Sequence, residues 1–209
     1  MMDYVREPDA IYRQSFEMIG QVAELADVPE AIRPVVTRIV HACGMPEIVA
    51  SLRFSDGIAE AVRSALAGGA DIYCDVETLR HGVMQRLLPD GCALHCAITA
   101  PETARYAKRE KMTRAAAQVD LWGDNLAGQI VAIGNAPTTL FRLLERIDAG
   151  AAKPAAIIAF PVGFVGAAES KDELAADPRG IPFITLTGRW GGTAMAQAAV
   201  NGLAGGLST

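Results

Sequence analysis

Gln129-Ile-Val-Ala-Ile-Gly-Asn-Ala-Pro-Thr-Thr-Leu-Phe-Arg-Leu-Leu-Glu-Arg-Ile-Asp-Ala149 carries a whole supersecondary unit. The short apolar run from Gln129 to Ile133 predicts a strand, and the apolar positions recurring at helical spacing from Thr138 to Ala149 predict a helix. Gly134-Asn-Ala-Pro137 turns the chain between them. The same order recurs twice downstream. Ala155 to Phe160 leads into Pro161-Val-Gly-Phe-Val-Gly-Ala-Ala-Glu-Ser-Lys171 and a helix over Ser170 to Ala175. Phe183 to Leu186 leads into Gly188-Arg-Trp-Gly-Gly-Thr193 and a helix over Thr193 to Leu203.

Working upstream, strands are predicted at Ile72 to Cys74 and Ala93 to Ile98, with helices at Val76 to Arg80, Glu102 to Arg109 and Thr113 to Trp122. Strands alternating with helices bury a mainly parallel sheet between two helical layers. The predicted fold is therefore α/β, a three-layer α/β/α arrangement around a Rossmann-like central sheet of about five strands. Ahead of it lies an N-terminal helical segment, with helices over Pro8 to Leu25 and Pro29 to Cys43. A short extended piece at Leu52 to Phe54 and a helix over Asp56 to Leu66 follow.

The chain has 209 residues, 51% of them hydrophobic, enough for one sizeable core, and residues 1–209 are read as a single domain. The first ten residues are charged and lack an apolar signal region, and no later apolar run reaches about 18 residues without a charge. A soluble, cytoplasmic protein with no membrane partner is expected. A net charge of −5 argues against a nucleic-acid partner, which needs a basic surface. It leaves room for a small anion, which needs only a few well-placed cations or backbone N–H groups. Cys43, Cys74, Cys92 and Cys96 show no disulfide framework and read as reduced thiols. Along a strand Cys92 and Cys96 would stand about 13 Å apart, too far for one tetrahedral metal ion.

Three glycine-bearing turns that each follow a strand should meet at the carboxyl edge of the sheet. There the backbone can approach a ligand, and helix N-termini can offer N–H groups to an anion. Gly163 and Gly166, with Lys171 and Arg189 as cations and Asn135 in the first turn, are the candidate binding residues. Neither G-x-G-x-x-G nor G-x-x-x-x-G-K-[ST] is present, so a polycarboxylate suits this edge better than a nucleotide.

His41 is one of three histidines. In the helix that carries it, Ile32, Val36, Ile39, Val40 and Cys43 form the apolar stripe, and Thr37, Arg38, His41 and Met45 lie opposite. The imidazole therefore meets solvent, a partner or a ligand, and spacing alone leaves open an exposed histidine with no task. The Arg38 charge disfavours imidazolium and makes the charged ring a readier proton donor. Ser15 is a mid-helix serine, facing solvent or bonded to its own backbone. Arg114 opens a helix, where a cation opposes the dipole unless a carboxylate is bound beside it. His81 reads as a turn residue and His95 as a hydrogen-bonded histidine in an apolar strand. Neither has a partner at triad spacing, and there is no G-x-S-x-G elbow.

Tyr12-Arg-Gln-Ser-Phe16, His41-Ala-Cys-Gly44, Gly134-Asn-Ala-Pro-Thr138, the segment Pro161 to Lys171 and Gly188-Arg-Trp-Gly-Gly192 combine, in this order, into a specific pattern. It closely resembles the precorrin-8X methylmutase, or precorrin isomerase, family over nearly the whole chain. One position departs: methionine is expected where Thr78 stands. The resemblance implies an isomerase that moves a methyl group from C11 to C12 of a tetrapyrrole, giving hydrogenobyrinate in cobalamin biosynthesis, with no cofactor and no metal. It implies His41 as proton donor and acceptor, Ser15 and Arg38 as substrate contacts, and Arg114 as a third. It also implies a polycarboxylate tetrapyrrole substrate and product, and a homodimer with sites near the interface. Hand-over of the product to the next pathway enzyme fits the same picture. A non-catalytic corrin-binding carrier is the alternative of another class. A nucleotide- or sugar-phosphate-binding protein using the Gly134 and Gly163 turns is a third.

Overall fold

The computed structural model describes residues 2 and 4–205. In chain order the helices are α1 (Pro8–Val22), α2 (Arg33–Cys43), α3 (Ile58–Ala67), α4 (Glu77–Gly82), α5 (Pro101–Glu110), α6 (Arg114–Trp122), α7 (Pro137–Asp148), α8 (Ala167–Ala176) and α9 (Thr193–Leu203). The strands are β1 (Leu52–Phe54), β2 (Ile72–Cys74), β3 (Leu94–His95), β4 (Ile130–Ile133), β5 (Ala156–Ala159) and β6 (Phe183–Leu186). They form one sheet of six strands in the order β1-β6-β5-β4-β2-β3, parallel except for β1.

The sheet is buried on both faces, and its residues alternate between two cores. Ile72, Cys74, Ile130, Ala132, Ile158 and Ile184 pack with α1, α2, α3 and α9, whereas Tyr73, Val131, Ile133, Ile157 and Phe183 pack with α6, α7 and α8. This is the period of two in a strand covered on each side. Ile157 and Ile158 are neighbours in sequence and have no solvent exposure, one on each face. Each contributes roughly 1.5–3 kcal/mol of burial. In α7 the stripe Leu140, Leu143, Leu144 and Ile147 is buried, as its helical spacing requires.

The sheet has six strands rather than five because the extended piece at Leu52–Phe54 pairs antiparallel with β6, Leu52 opposite Leu186. The strand expected at Ala93 to Ile98 shrinks to Leu94–His95. Beyond it the backbone of Ala97 bonds to side chains, its N–H to Gln118 Oε1 and its carbonyl to Thr103 Oγ1 at 2.6 Å, which ends the ladder. The second helix starts at Arg33 rather than Pro29, because Pro34 has no N–H and belongs in the first turn. Pro8 and the Glu7 side chain start α1 as a cap pair, the carboxylate accepting from Asp9 and Ala10 N–H.

The helix α2 is laid along α9. A Cβ at Gly202 would stand 3.2 Å from Val35 Cα, so glycine is needed there for the two backbones to approach. Val35 lies in the first turn of α2 and Gly202 in the last turn of α9, which itself descends from the carboxyl edge of the sheet. The helix α2 therefore climbs back towards that edge. The chain arrives there ten residues after His41, where Ser51 O accepts from Thr187 N at 2.8 Å just past the end of β6. His41 is thus delivered to the edge where the three turns lie.

Candidate active site

The imidazole of His41 is half-buried between α1 and α2. Its Nδ1 is 2.8 Å from Ser15 Oγ. Tyr12 stacks on the ring with centroids 5.2 Å apart, and Phe16 meets it edge-on at 5.5 Å. Tyr12, Ser15 and Phe16 share one face of α1 through their i, i+3, i+4 spacing. The Ser15 bond serves either tautomer: Ser15 O–H donates to a bare Nδ1, or Nδ1–H donates to Ser15 Oγ. Both leave Nε2 as the nitrogen not engaged by serine. Burial first, and the Arg38 guanidinium second, hold the His41 pKa below its ordinary 6.5. A cavity of about 530 Å³ opens beside the ring, lined by Ile11, Ser15, Met18, Val40 and His41 among others. That volume is in the range of small-molecule sites.

The three glycine turns meet. Val162 N–H donates to Asn135 O at 3.2 Å, Gly163 N–H to Arg189 O at 3.2 Å, and Gly192 N–H to Phe160 O at 2.8 Å. At Gly191, φ is +157°, and any Cβ would collide with the carbonyls of Phe160 and Pro161. Only glycine brings the third turn this close to the second. Gly163 has φ +142°, and Gly166, at φ +77°, starts α8.

The turns are stitched from below by two buried charges. Asp75 has no exposure; its Oδ1 accepts from Gly134 N–H at 2.9 Å, and its Oδ2 from Asn135 and Ala136 N–H at 2.9 and 2.8 Å. Burial raises the Asp75 pKa and these N–H donors oppose the rise. The Gly134 turn therefore does not offer its N–H groups to an outside anion, which corrects the sequence expectation and removes the phosphate cradle that a nucleotide would use there. Lys171, expected at the ligand-facing edge, also has no exposure, and its ammonium donates to Trp190 O. Burial pulls its pKa down to about 8. It supports the third turn from behind, and the helix face that carries it packs inward between Ala167 and Leu174.

Arg189 and Arg114 are the exposed cations of this edge. The Arg189 guanidinium lies 5.4 Å from the Phe164 ring and 5.7 Å from that of Trp190. Arg114 opens α6 beside its cap Thr113, whose hydroxyl is 2.8 Å from that of Thr138 at the start of α7. Among the described residues neither arginine forms an ion pair with a carboxylate of the chain. The structure so brings together Ser15, Arg38 and His41 on one side, and Asn135, Gly163, Gly166 and Arg189 on the crest, with Arg114 on the far side. Thr78 is exposed, and its carbonyl accepts from Gln197 Nε2 at 2.6 Å.

Tyr12 and Phe16 were part of a recognised motif, and their spacing with Ser15 was the available signal for their packing on His41. Asp75 left no such signal, since its partners lie 59 to 61 residues away. Away from the edge, His95 Nε2 pairs with Asp71 Oδ2 at 2.7 Å and stacks on Tyr73, a sheet-face histidine with a partner no local spacing could show. The four cysteines are unbridged.

A family model described as precorrin-8X methylmutase matches residues 10–205. The precorrin-8X methylmutase of Pseudomonas aeruginosa is 50% identical over 204 residues, covering 98% of each chain. The cobalt-precorrin-8 methylmutase of Priestia megaterium is 36% identical, over 94% of this chain and 87% of its own. The crystal structure of precorrin-8x methyl mutase from Thermus thermophilus matches at TM-score 0.83 and 34% identity, over 93% of this chain and 96% of its own. Sequence order, sheet topology and overall likeness agree, and the chain belongs to the precorrin-8X methylmutase family.

Proposed function

We propose that His41 is the proton donor and acceptor of a methylmutase that moves a methyl group from C11 to C12 of precorrin-8X, giving hydrogenobyrinate. The observation that carries this reading is the imidazole itself, fixed through Nδ1 by Ser15 between two aromatic rings and beside an open apolar cavity. The free protein keeps this ring neutral near pH 7, since burial and Arg38 both disfavour imidazolium. A polycarboxylate brings the opposite field, favours the charged ring, and so recruits a proton as it seats. Imidazolium then protonates the conjugated macrocycle, which becomes more electron-poor and migrates its methyl group more readily. The ring takes the proton back when the new carbon skeleton is complete, so the proton balance of the isomerisation is zero.

The substrate is a flat apolar disc rimmed with carboxylates. The cavity wall of Ile11, Met18 and Val40 supports its apolar part, and Arg38, Arg114, Arg189 and Asn135 are the groups proposed for its rim. The metal-free substrate is preferred because relatives at 50% and 48% identity are named for precorrin-8X, whereas those named for cobalt-precorrin-8 stand at 36% or less. Exposed Ile11, Met18 and Val22 on α1 support a homodimer that covers this wall, with the sites near its interface. The protein is read as cytoplasmic; among the described residues no helix is long and apolar enough to cross a membrane.

The test is His41→Ala incubated with precorrin-8X while the absorption spectrum is followed. The reading predicts retained binding and a conversion rate lower by about 10²–10⁴-fold. Unimpaired conversion would remove His41 from the reaction, and unimpaired binding in a wild-type protein that converts nothing would make it a carrier.

A further inference from the structure

We propose that Asp75 is a positioning residue, an internal carboxylate ligand that fills the anion-binding nest of the Gly134–Ala136 turn and thereby sets Asn135, and the turns bonded to it, against the substrate. In the strand order β1-β6-β5-β4-β2-β3, the chain steps outward from β2 to β3 and, from β4 onward, to β5 and β6 on the other side. The boundary between β2 and β4 is the switch point, where open α/β sheets bind ligands. Three successive N–H groups converge there, the arrangement that elsewhere cradles an external anion. Here they receive the carboxylate of Asp75, delivered by the end of β2 at 2.8 to 2.9 Å.

Asp75 is itself held at both ends of its peptide. Its N–H donates to Ala132 O at 3.1 Å, and its carbonyl accepts from the buried Gln118 Nε2 at 2.7 Å. A continuous backbone relay runs onward from it: Asn135 O to Val162 N–H, then the neighbouring Gly163 N–H to Arg189 O. A displacement of the first turn is therefore passed to the second and third. The nest at the switch point is filled by the chain's own carboxylate, and it transmits the rigidity of the sheet to the rim that faces the substrate.

This inference rests on the reading that the Asn135–Arg189 rim holds precorrin-8X, and the experiment separates the two. In the full chain, Asp75→Gly empties the nest and Asp75→Asn keeps it filled with one acceptor oxygen in place of two. Thermal midpoint, kcat and KM are measured with sodium formate or with sodium chloride at equal ionic strength. The expected result is that Asp75→Gly has a lower midpoint and a KM raised at least tenfold, kcat changing less. Formate restores both in a saturable way, and neither Asp75→Asn nor the wild type responds to it. Wild-type kinetics in Asp75→Gly where Asn135→Ala or Arg189→Ala raises KM, or an equal formate response in Asp75→Asn, overturns the proposal. If Asp75→Gly does not fold, Asp75→Asn carries the test: a KM raised severalfold with kcat held within about threefold supports positioning, and an unchanged KM refutes it. Asn135→Ala and Arg189→Ala with unchanged KM, while formate still restores the Asp75→Gly midpoint, would sink the substrate-rim reading and leave the clamp standing.

Discussion

The wall around His41 and the crest of glycine turns share one edge of the sheet but are built by opposite means. The wall is made of side chains on two helices: Ser15, Tyr12 and Phe16 of α1 grip a ring on α2, and the outer face of α1 is exposed and apolar. The crest is made of backbone, knotted turn to turn and clamped by two fully buried charges, Asp75 and Lys171. The group proposed to react thus sits where its surroundings can adjust when a ligand or second subunit arrives. The groups proposed for the substrate rim sit where adjustment is least available. A buried charge fixes a turn well because displacing it leaves an unpaired charge or an orphaned backbone group inside the protein.

The sharpest way to break this contrast is to remove the other clamp. Lys171→Met keeps the stem and deletes the ammonium, leaving Trp190 O without its donor at a cost of about 1–3 kcal/mol. The expected outcome is KM raised about tenfold with kcat little changed, measured by steady-state conversion of precorrin-8X. The pH dependence gives a second reading. Lys171 is a base whose folded pKa, about 8, lies below its unfolded value of 10.5, so the stability it contributes is complete above 10.5 and lost as pH falls through 8. Relative to Lys171→Met, the wild-type thermal midpoint therefore climbs between pH 8 and 10.5; a flat difference would mean that the ammonium is not buried in solution.

On the wall the effects should be smaller and fall on kcat. Ser15→Ala removes one hydrogen bond of about 1 kcal/mol, so kcat drops roughly fivefold while KM holds. A raised KM instead would make Ser15 a substrate contact rather than a support for the imidazole. Arg38→Met should move the limb of the pH profile governed by His41 to higher pH, since a cation that disfavours imidazolium is gone. Burial of the ring remains, so the shift is partial. An unmoved limb would leave burial as the whole cause.

What the sequence disclosed divides along the same line. The parallel sheet, its helices and the meeting of the three turns were legible because strand and helix periods repeat locally. His41 was legible as a residue off its helix's core face, and the resemblance carried by the ordered motifs implies a reaction for it. The burial of Lys171 was not legible, because a cation that follows a glycine-bearing turn looks the same whether it faces solvent or the carbonyl of Trp190, and only packing distinguishes them. Asp75 stayed silent because a carboxylate at a strand end acquires its meaning from N–H groups on a strand that is adjacent in the sheet and distant in the chain. The antiparallel β1 was seen only as an extended piece, since its pairing with β6 spans most of the chain.

The central claim is that a neutral His41 becomes charged when the polycarboxylate seats, and titration calorimetry tests it most directly. Hydrogenobyrinate is bound near pH 7 in two buffers of different ionisation enthalpy, with wild-type protein and with His41→Ala. The account predicts proton uptake by the wild type and a loss of that uptake in His41→Ala with binding retained. Equal uptake by the two proteins, or none by the wild type, would contradict it.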